Sequence, residues 1–89
     1  MKYYYIKVEE YINDEWKNYG YFEKLIITGH YQNKPEINID TVSDKQYAKK
    51  YKSKTWANKM IKNILDQTKD NVFLYRDDKY VYRFNIVEE

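Results

Sequence analysis

Along residues 2–12 apolar and polar side chains alternate. Tyr4, Ile6, Val8 and Ile12 fall on one face, and Tyr3, Tyr5, Lys7, Glu9 and Tyr11 on the other. A period of two is that of an extended strand with one face against a core. Asn13-Asp14 begins a turn, and a second strand is expected over residues 19–32, centred on Leu25, Ile26 and Ile27. Asn33-Lys34-Pro35 reads as the next turn and residues 36–42 as a third strand, with Ile37 and Ile39 sharing a face.

The period then lengthens. Ser43, with Gln46 three positions on, has the spacing of a capping box for a short helix striped by Tyr47, Ala48 and Tyr51. Ser53 reads as the cap of a longer helix over residues 54–68. Trp56, Ala57, Met60, Ile61, Ile64 and Leu65 recur at helical spacing, and Lys54, Asn58, Lys59, Lys62, Asn63 and Asp66 take the other side. Trp56, Met60 and Ile64 are expected to pack on the sheet. Residues 72–76 and 79–87 close the chain as a hairpin around Asp77-Asp78. A two-residue loop there pairs Tyr75 with Tyr80 and Phe73 with Tyr82 on one face, and Leu74 with Val81 on the other. The expected fold class is α+β, a small and mostly antiparallel sheet in the order β-β-β-α-α-β-β with an amphipathic helix on one face.

With 89 residues the chain fits one domain, residues 1–89. It has no cysteine, so disulfide staples and thiolate metal sites are excluded, in keeping with a reducing compartment. Lys7 interrupts the only early apolar run, which argues against a signal peptide, and no run is long enough to span a bilayer. The expectation is a soluble cytoplasmic protein without membrane contact. One proline and two glycines leave the turns to Asn and Asp. The net charge of +2 is unevenly spread: residues 40–70 hold eight lysines against four acids, and both flanks are slightly acidic.

Signals for chemistry are absent. His30 is the only histidine, and Ser43 and Ser53, the only serines, both read as helix caps. Neighbouring strand carboxylates such as Glu9 and Glu10 point to opposite faces, while Asp14-Glu15 and Asp77-Asp78 fall in turns. Two isolated glycines make neither a phosphate loop nor a dinucleotide fingerprint. These observations point away from an enzyme, a metal site or a cofactor and towards binding.

Two candidate binding features follow. The twelve tyrosines concentrate in strands, and the outward row Tyr3, Tyr5 and Tyr11 is the expected partner surface. The competing arrangement is a loop or second helix laid over that face, which would turn it into another core layer. The second feature is the lysine-rich segment with Lys49, Lys50, Lys52 and Lys54, suited to a phosphate backbone, with exposed tyrosines as stacking platforms.

Residues 40–57, Asp-Thr-Val-Ser-Asp-Lys-Gln-Tyr-Ala-Lys-Lys-Tyr-Lys-Ser-Lys-Thr-Trp-Ala, resemble a passage found in small phage-encoded accessory proteins of low-GC Gram-positive bacteria. There an A-x-x-[F/Y]-x-[S/T] step leads into an amphipathic helix; Ala48, Tyr51, Ser53 and Ala57 match it. The resemblance implies a non-catalytic inhibitor of a host defence system, anti-CRISPR-like, that binds and occludes a host protein or nucleoprotein complex. The chain departs from the acidic DNA mimics of that group in being slightly basic. A small nucleic-acid-binding module is the alternative.

Overall fold

The computed structural model describes residues 2–89. Its first three strands are β1 (Tyr4–Ile12), β2 (Glu15–Tyr31) and β3 (Lys34–Val42). A 3₁₀ turn, Lys45–Tyr47, leads to the helix α1 (Lys54–Thr68), and a second 3₁₀ turn, Val72–Leu74, follows it. The chain ends in two short strands, β4 (Tyr75–Arg76) and β5 (Lys79–Tyr80), and the longer β6 (Tyr82–Glu88). The main sheet is antiparallel throughout, in the order β3-β2-β1-β6, and β4-β5 form a separate ribbon. The α+β class and the antiparallel sheet with one helix across it are as expected; the strands are more numerous.

All three hairpins turn through two residues with positive φ: Asn13-Asp14, Gln32-Asn33 and Asp77-Asp78, every φ lying between 51° and 65°. This is the geometry of a type I′ loop, which twists with its strands and is most often built with glycine. Five of the six positions here use Asn or Asp, the side chains that best tolerate the left-handed region. The second turn therefore lies one residue earlier than expected. β2 also begins earlier, at Glu15, because β1 holds Glu15–Asn18 in register although those side chains are exposed and carry no alternation.

β2 is interrupted by three irregularities, which leave Tyr19, Glu23 and Thr28 without partners opposite. Such bulges add twist and bend a strand. Beside the first, Gly20 adopts a φ of +142°, and a Cβ on it would lie 2.9 Å from the Val42 carbonyl oxygen. Only glycine allows β3 that close.

The core lies between α1 and one sheet face. Ile6 and Val8 from β1, Phe22 from β2, Ile39 from β3 and Tyr82 from β6 meet Ala57 and Ile64 of the helix, with Phe84 and Ile86 packed alongside. Ser53 caps α1 as the sequence indicated: its Oγ accepts from the Trp56 amide at 3.3 Å. Asp44, rather than Ser43, caps the first 3₁₀ turn, its side chain accepting from the Gln46 amide.

The buried arc of the helix differs from the expected one. It is centred on Ala57, Ile64 and Thr68, all fully buried. At roughly 100° per residue, Trp56 sits about 100° to one side of this line and Leu65 about 80° to the other. Trp56 is accordingly 61% exposed and does not pack on the sheet. Thr68 is inside because its polar atom is satisfied: the hydroxyl donates to the Ile64 carbonyl at 2.7 Å and lies 2.8 Å from the Tyr80 hydroxyl.

The closing segment is partly as expected. Tyr75 opposes Tyr80, and the Val81 amide donates to the Leu74 carbonyl. Phe73, however, belongs to the second 3₁₀ turn, against Tyr31 at 5.8 Å between ring centroids, and does not meet Tyr82. The cause is Val81. Its carbonyl accepts from the Tyr11 amide, so the chain leaves the β4-β5 ribbon there and joins β1.

Candidate functional site: a basic and aromatic surface

Between β3 and the first turns of α1 the chain crosses from one sheet face to the other. β1 and β2 part beyond the Lys7–Tyr21 pair, and residues 49–51 fill the gap. The Lys49 amide donates to Phe22, and Tyr51 exchanges two backbone hydrogen bonds with Tyr4, at 2.8 and 2.9 Å. Before the crossing, Lys45 lies 3.6 Å from the Glu89 carboxylate, which also accepts from the Tyr21 hydroxyl.

One member of the expected partner row is buried. Tyr5 does face away from Ile6 and Val8, but it is only 5% exposed, with its ring edge-on to Tyr21 at 6.0 Å. That face is packed around Tyr5 and Tyr21, with the Lys45–Glu89 contact beside the Tyr21 hydroxyl. Tyr3, half-buried, and Tyr11, at the far end of β1, stay at the surface without forming one site. Tyr3 lies under the Lys50 ammonium at 5.6 Å, and Tyr11 packs on Trp16 at 5.2 Å.

The crossing segment carries its lysines between two exposed aromatics, Tyr47 and Trp56, that the sequence had assigned to helix stripes. Residues 45–65 carry seven lysines and no acid, and the rest of the chain nine basic and fourteen acidic residues. Lys49, Lys50, Lys52 and Lys54 are all exposed. Tyr47 precedes them at 65% exposure, and Trp56 follows, with the Lys59 ammonium 4.5 Å from its ring centre. Among the described residues none of Lys49, Lys50, Lys52, Lys54, Lys59 or Lys62 is paired with a carboxylate. Beside them a shallow depression is lined by Phe22, Leu25, Tyr51 and Met60, with Lys24, Lys49 and the Glu23 carboxylate at its rim. A lysine-rich segment with no acid of its own presents a positive field to approaching polyanions. Exposed aromatic rings between the charges add flat stacking surfaces. Comparisons with protein-family models, with curated proteins and with solved structures find no match to this chain.

A second aromatic group lies at the other end of the sheet. Arg83 stands over Trp16 at 4.5 Å and forms a two-pronged pair with Glu9, both contacts at 3.0 Å. Asn85 also donates to Glu9 at 2.8 Å. Arg83, chiefly through these hydrogen bonds, holds the Glu9 carboxyl below its usual pKa. Between the first and last hairpin tips is an open cleft lined by Tyr11, Asp14, Arg76, Asp77, Lys79 and Tyr80, where Arg76 donates to the Tyr11 carbonyl at 2.8 Å.

His30 is exposed on β2 opposite Pro35. Among the described residues no three His, Asp or Glu side chains converge as a metal site would require. No helix among them is long and apolar enough to cross a membrane.

Proposed function

We propose that this protein acts by binding, and that the surface around the Tyr47–Trp56 crossing takes single-stranded nucleic acid. One observation carries the reading: Trp56 and Tyr47 stand exposed at either end of a lysine run with no acid among its neighbours in sequence. Lysines at this density meet a phosphate backbone, and the two rings accept unstacked bases without regard to sequence. Anisotropy titration of labelled single- and double-stranded oligonucleotides over a salt series tests it. Saturable binding of the single strand that weakens linearly on a log–log salt plot is expected. Absence of saturable binding at low salt overturns the reading.

A second reading rests on Tyr11, Trp16 and Arg83, whose residue types are those that dominate protein interfaces. On this reading the protein is a phage-encoded inhibitor that occludes a component of a host defence system, with the open sheet face as its contact. Interference assays against purified defence complexes test it. Inhibition that survives Lys49, Lys50, Lys52 and Lys54→Gln but is lost in Trp16→Ala supports occlusion by this face. Inhibition lost only with the lysines assigns the effect to the basic surface.

A further inference from the structure

The two edges of the main sheet are treated differently. On β3 several outward backbone groups are occupied or missing. The Asn71 side chain donates to the Ile37 carbonyl at 2.9 Å, and the Ile39 amide donates to the Asn38 side chain at 2.7 Å. Pro35, on the same parity, has no amide to offer. These devices stop a further strand from adding to a sheet.

β6 has none of them. Tyr3 and Glu89 exchange both backbone hydrogen bonds, and the Tyr11 amide donates to Val81, which fixes the parity of the β1-β6 ladder. Val87, Asn85 and Arg83 therefore bond to β1, and Tyr82, Phe84, Ile86 and Glu88 turn their amides and carbonyls outward. Among the described residues no backbone or side-chain group meets those of Phe84, Ile86 or Glu88. The strand contains no proline and no bulge.

We infer that β6 is a pairing edge, and that its partner is β6 of a second copy of this chain, antiparallel about a two-fold axis through Asn85. Charge along the strand selects the partner and the direction. Arg83 lies near its start, Glu88 and Glu89 at its end. Antiparallel self-pairing sets each basic end against the acidic end of the other copy, whereas parallel pairing sets like against like. In the register centred on Asn85, Arg83 lies opposite Val87 of the second copy and diagonal to its Glu89. Tyr82 lies opposite Glu88, and no like charges oppose each other. The half-buried Phe84 and Ile86 pair with each other on the helix side, covering the apolar surface that the open edge leaves exposed. All four outward residues are used, in about eight hydrogen bonds. The contact is self-complementary, as a two-fold dimer requires, and joins two four-stranded sheets into one with both helices on the same side.

Sedimentation over a concentration series of the full chain is the first test: the mass should rise from 11.1 kDa towards twice that value. Asn85→Lys retains a partner for Glu9 but sets two ammonium groups against each other at the axis. It should remain monomeric with an unchanged circular dichroism melt. The chain has no cysteine, so Asn85→Cys supplies a single thiol. Non-bonded antiparallel pairs bring Cα atoms about 4.5 Å apart, within disulfide reach. Mild oxidation should link Asn85→Cys into a covalent dimer at least tenfold faster than Ser43→Cys, whose site is exposed and off the edge. A constant monomer mass, or equal linking rates for the two thiols, overturns the inference. A dimer that persists in Asn85→Lys overturns it as well.

Discussion

The Lys59 ammonium stands 4.5 Å above the ring of Trp56, one helical turn away on the exposed side of α1. The contact lies on the exposed side because the buried arc of the helix is centred on Ala57, Ile64 and Thr68, which leaves the indole beside the lysines of the crossing segment instead of in the core where its spacing with Met60 and Ile64 would place it. The consequence is sharp. Trp56→Ala should leave the melting temperature close to that of the parent, because surface changes typically stay within about 0.5 kcal/mol. A buried indole would cost about 3–5 kcal/mol. The same variant should weaken single-strand binding roughly 5–150-fold, the equivalent of about 1–3 kcal/mol for one stacked base. Thermal melts and titrations on one preparation check both halves.

Changing Lys49, Lys50, Lys52 and Lys54 together to Gln should flatten the salt dependence of that binding. Each phosphate contact contributes about 0.7 to the slope of log affinity against log salt for a single strand, so the loss is at most about 3. The fold should hold, since these ammonium groups pair with no carboxylate among the described residues. An unchanged slope would move the contact away from the crossing segment.

Local features of this fold were legible in the sequence because their causes are local. Ser53 caps α1, and the turns rest on Asn and Asp as the shortage of glycine required. Trp56 was misplaced because a hydrophobicity count treats Thr68 as polar. Its hydroxyl is satisfied by Ile64 and Tyr80, so it belongs to the buried arc and rotates the face away from Trp56. Tyr5 was assigned to the correct face, but it is buried there against Tyr21, beside which the crossing segment brings Lys45, 40 positions further on, to Glu89. Alternation within β1 carries no information about that crossing. Val81, where the chain changes partners from Leu74 to Tyr11, is likewise set by tertiary pairing and not by any local pattern.

The turn residues offer a stability test. Asp14, Asn33 and Asp78 occupy the second position of their loops at φ of 64°, 65° and 63°. Glycine is the residue most at ease there. Asp78→Gly should raise stability by up to about 1 kcal/mol, worth roughly 4–8 °C in melting temperature for a chain of this size. Asn33→Gly should gain less, because Asn already tolerates the left-handed region. Gly20→Ala should act in the opposite direction, since its Cβ would lie 2.9 Å from the Val42 oxygen. Denaturant unfolding of the three variants orders them.

Tyr51 combines a useful ring with a costly hydroxyl. The ring fills the core between Ile6, Phe22 and α1, but the oxygen is buried without a hydrogen-bond partner. Leaving such a group unsatisfied costs about 1–3 kcal/mol. Tyr51→Phe keeps the ring and removes the oxygen, so it should stabilise the protein by about 1 kcal/mol or more. Tyr82→Phe is the matched contrast: its hydroxyl donates to Asn38 at 3.4 Å, and its removal should bring no gain. The same burial pushes the Tyr51 pKa from 10.0 up to about 12, favouring the neutral phenol in the folded chain. The resulting contribution to stability is complete below the unfolded value of 10.0 and is lost as the pH rises towards 12. Tyr51→Phe should therefore lose less stability than the parent across that window, and its advantage should widen with pH. Denaturant midpoints measured below and within the window decide it. An equal or lower midpoint for Tyr51→Phe near neutrality would mean that the hydroxyl has a partner in solution.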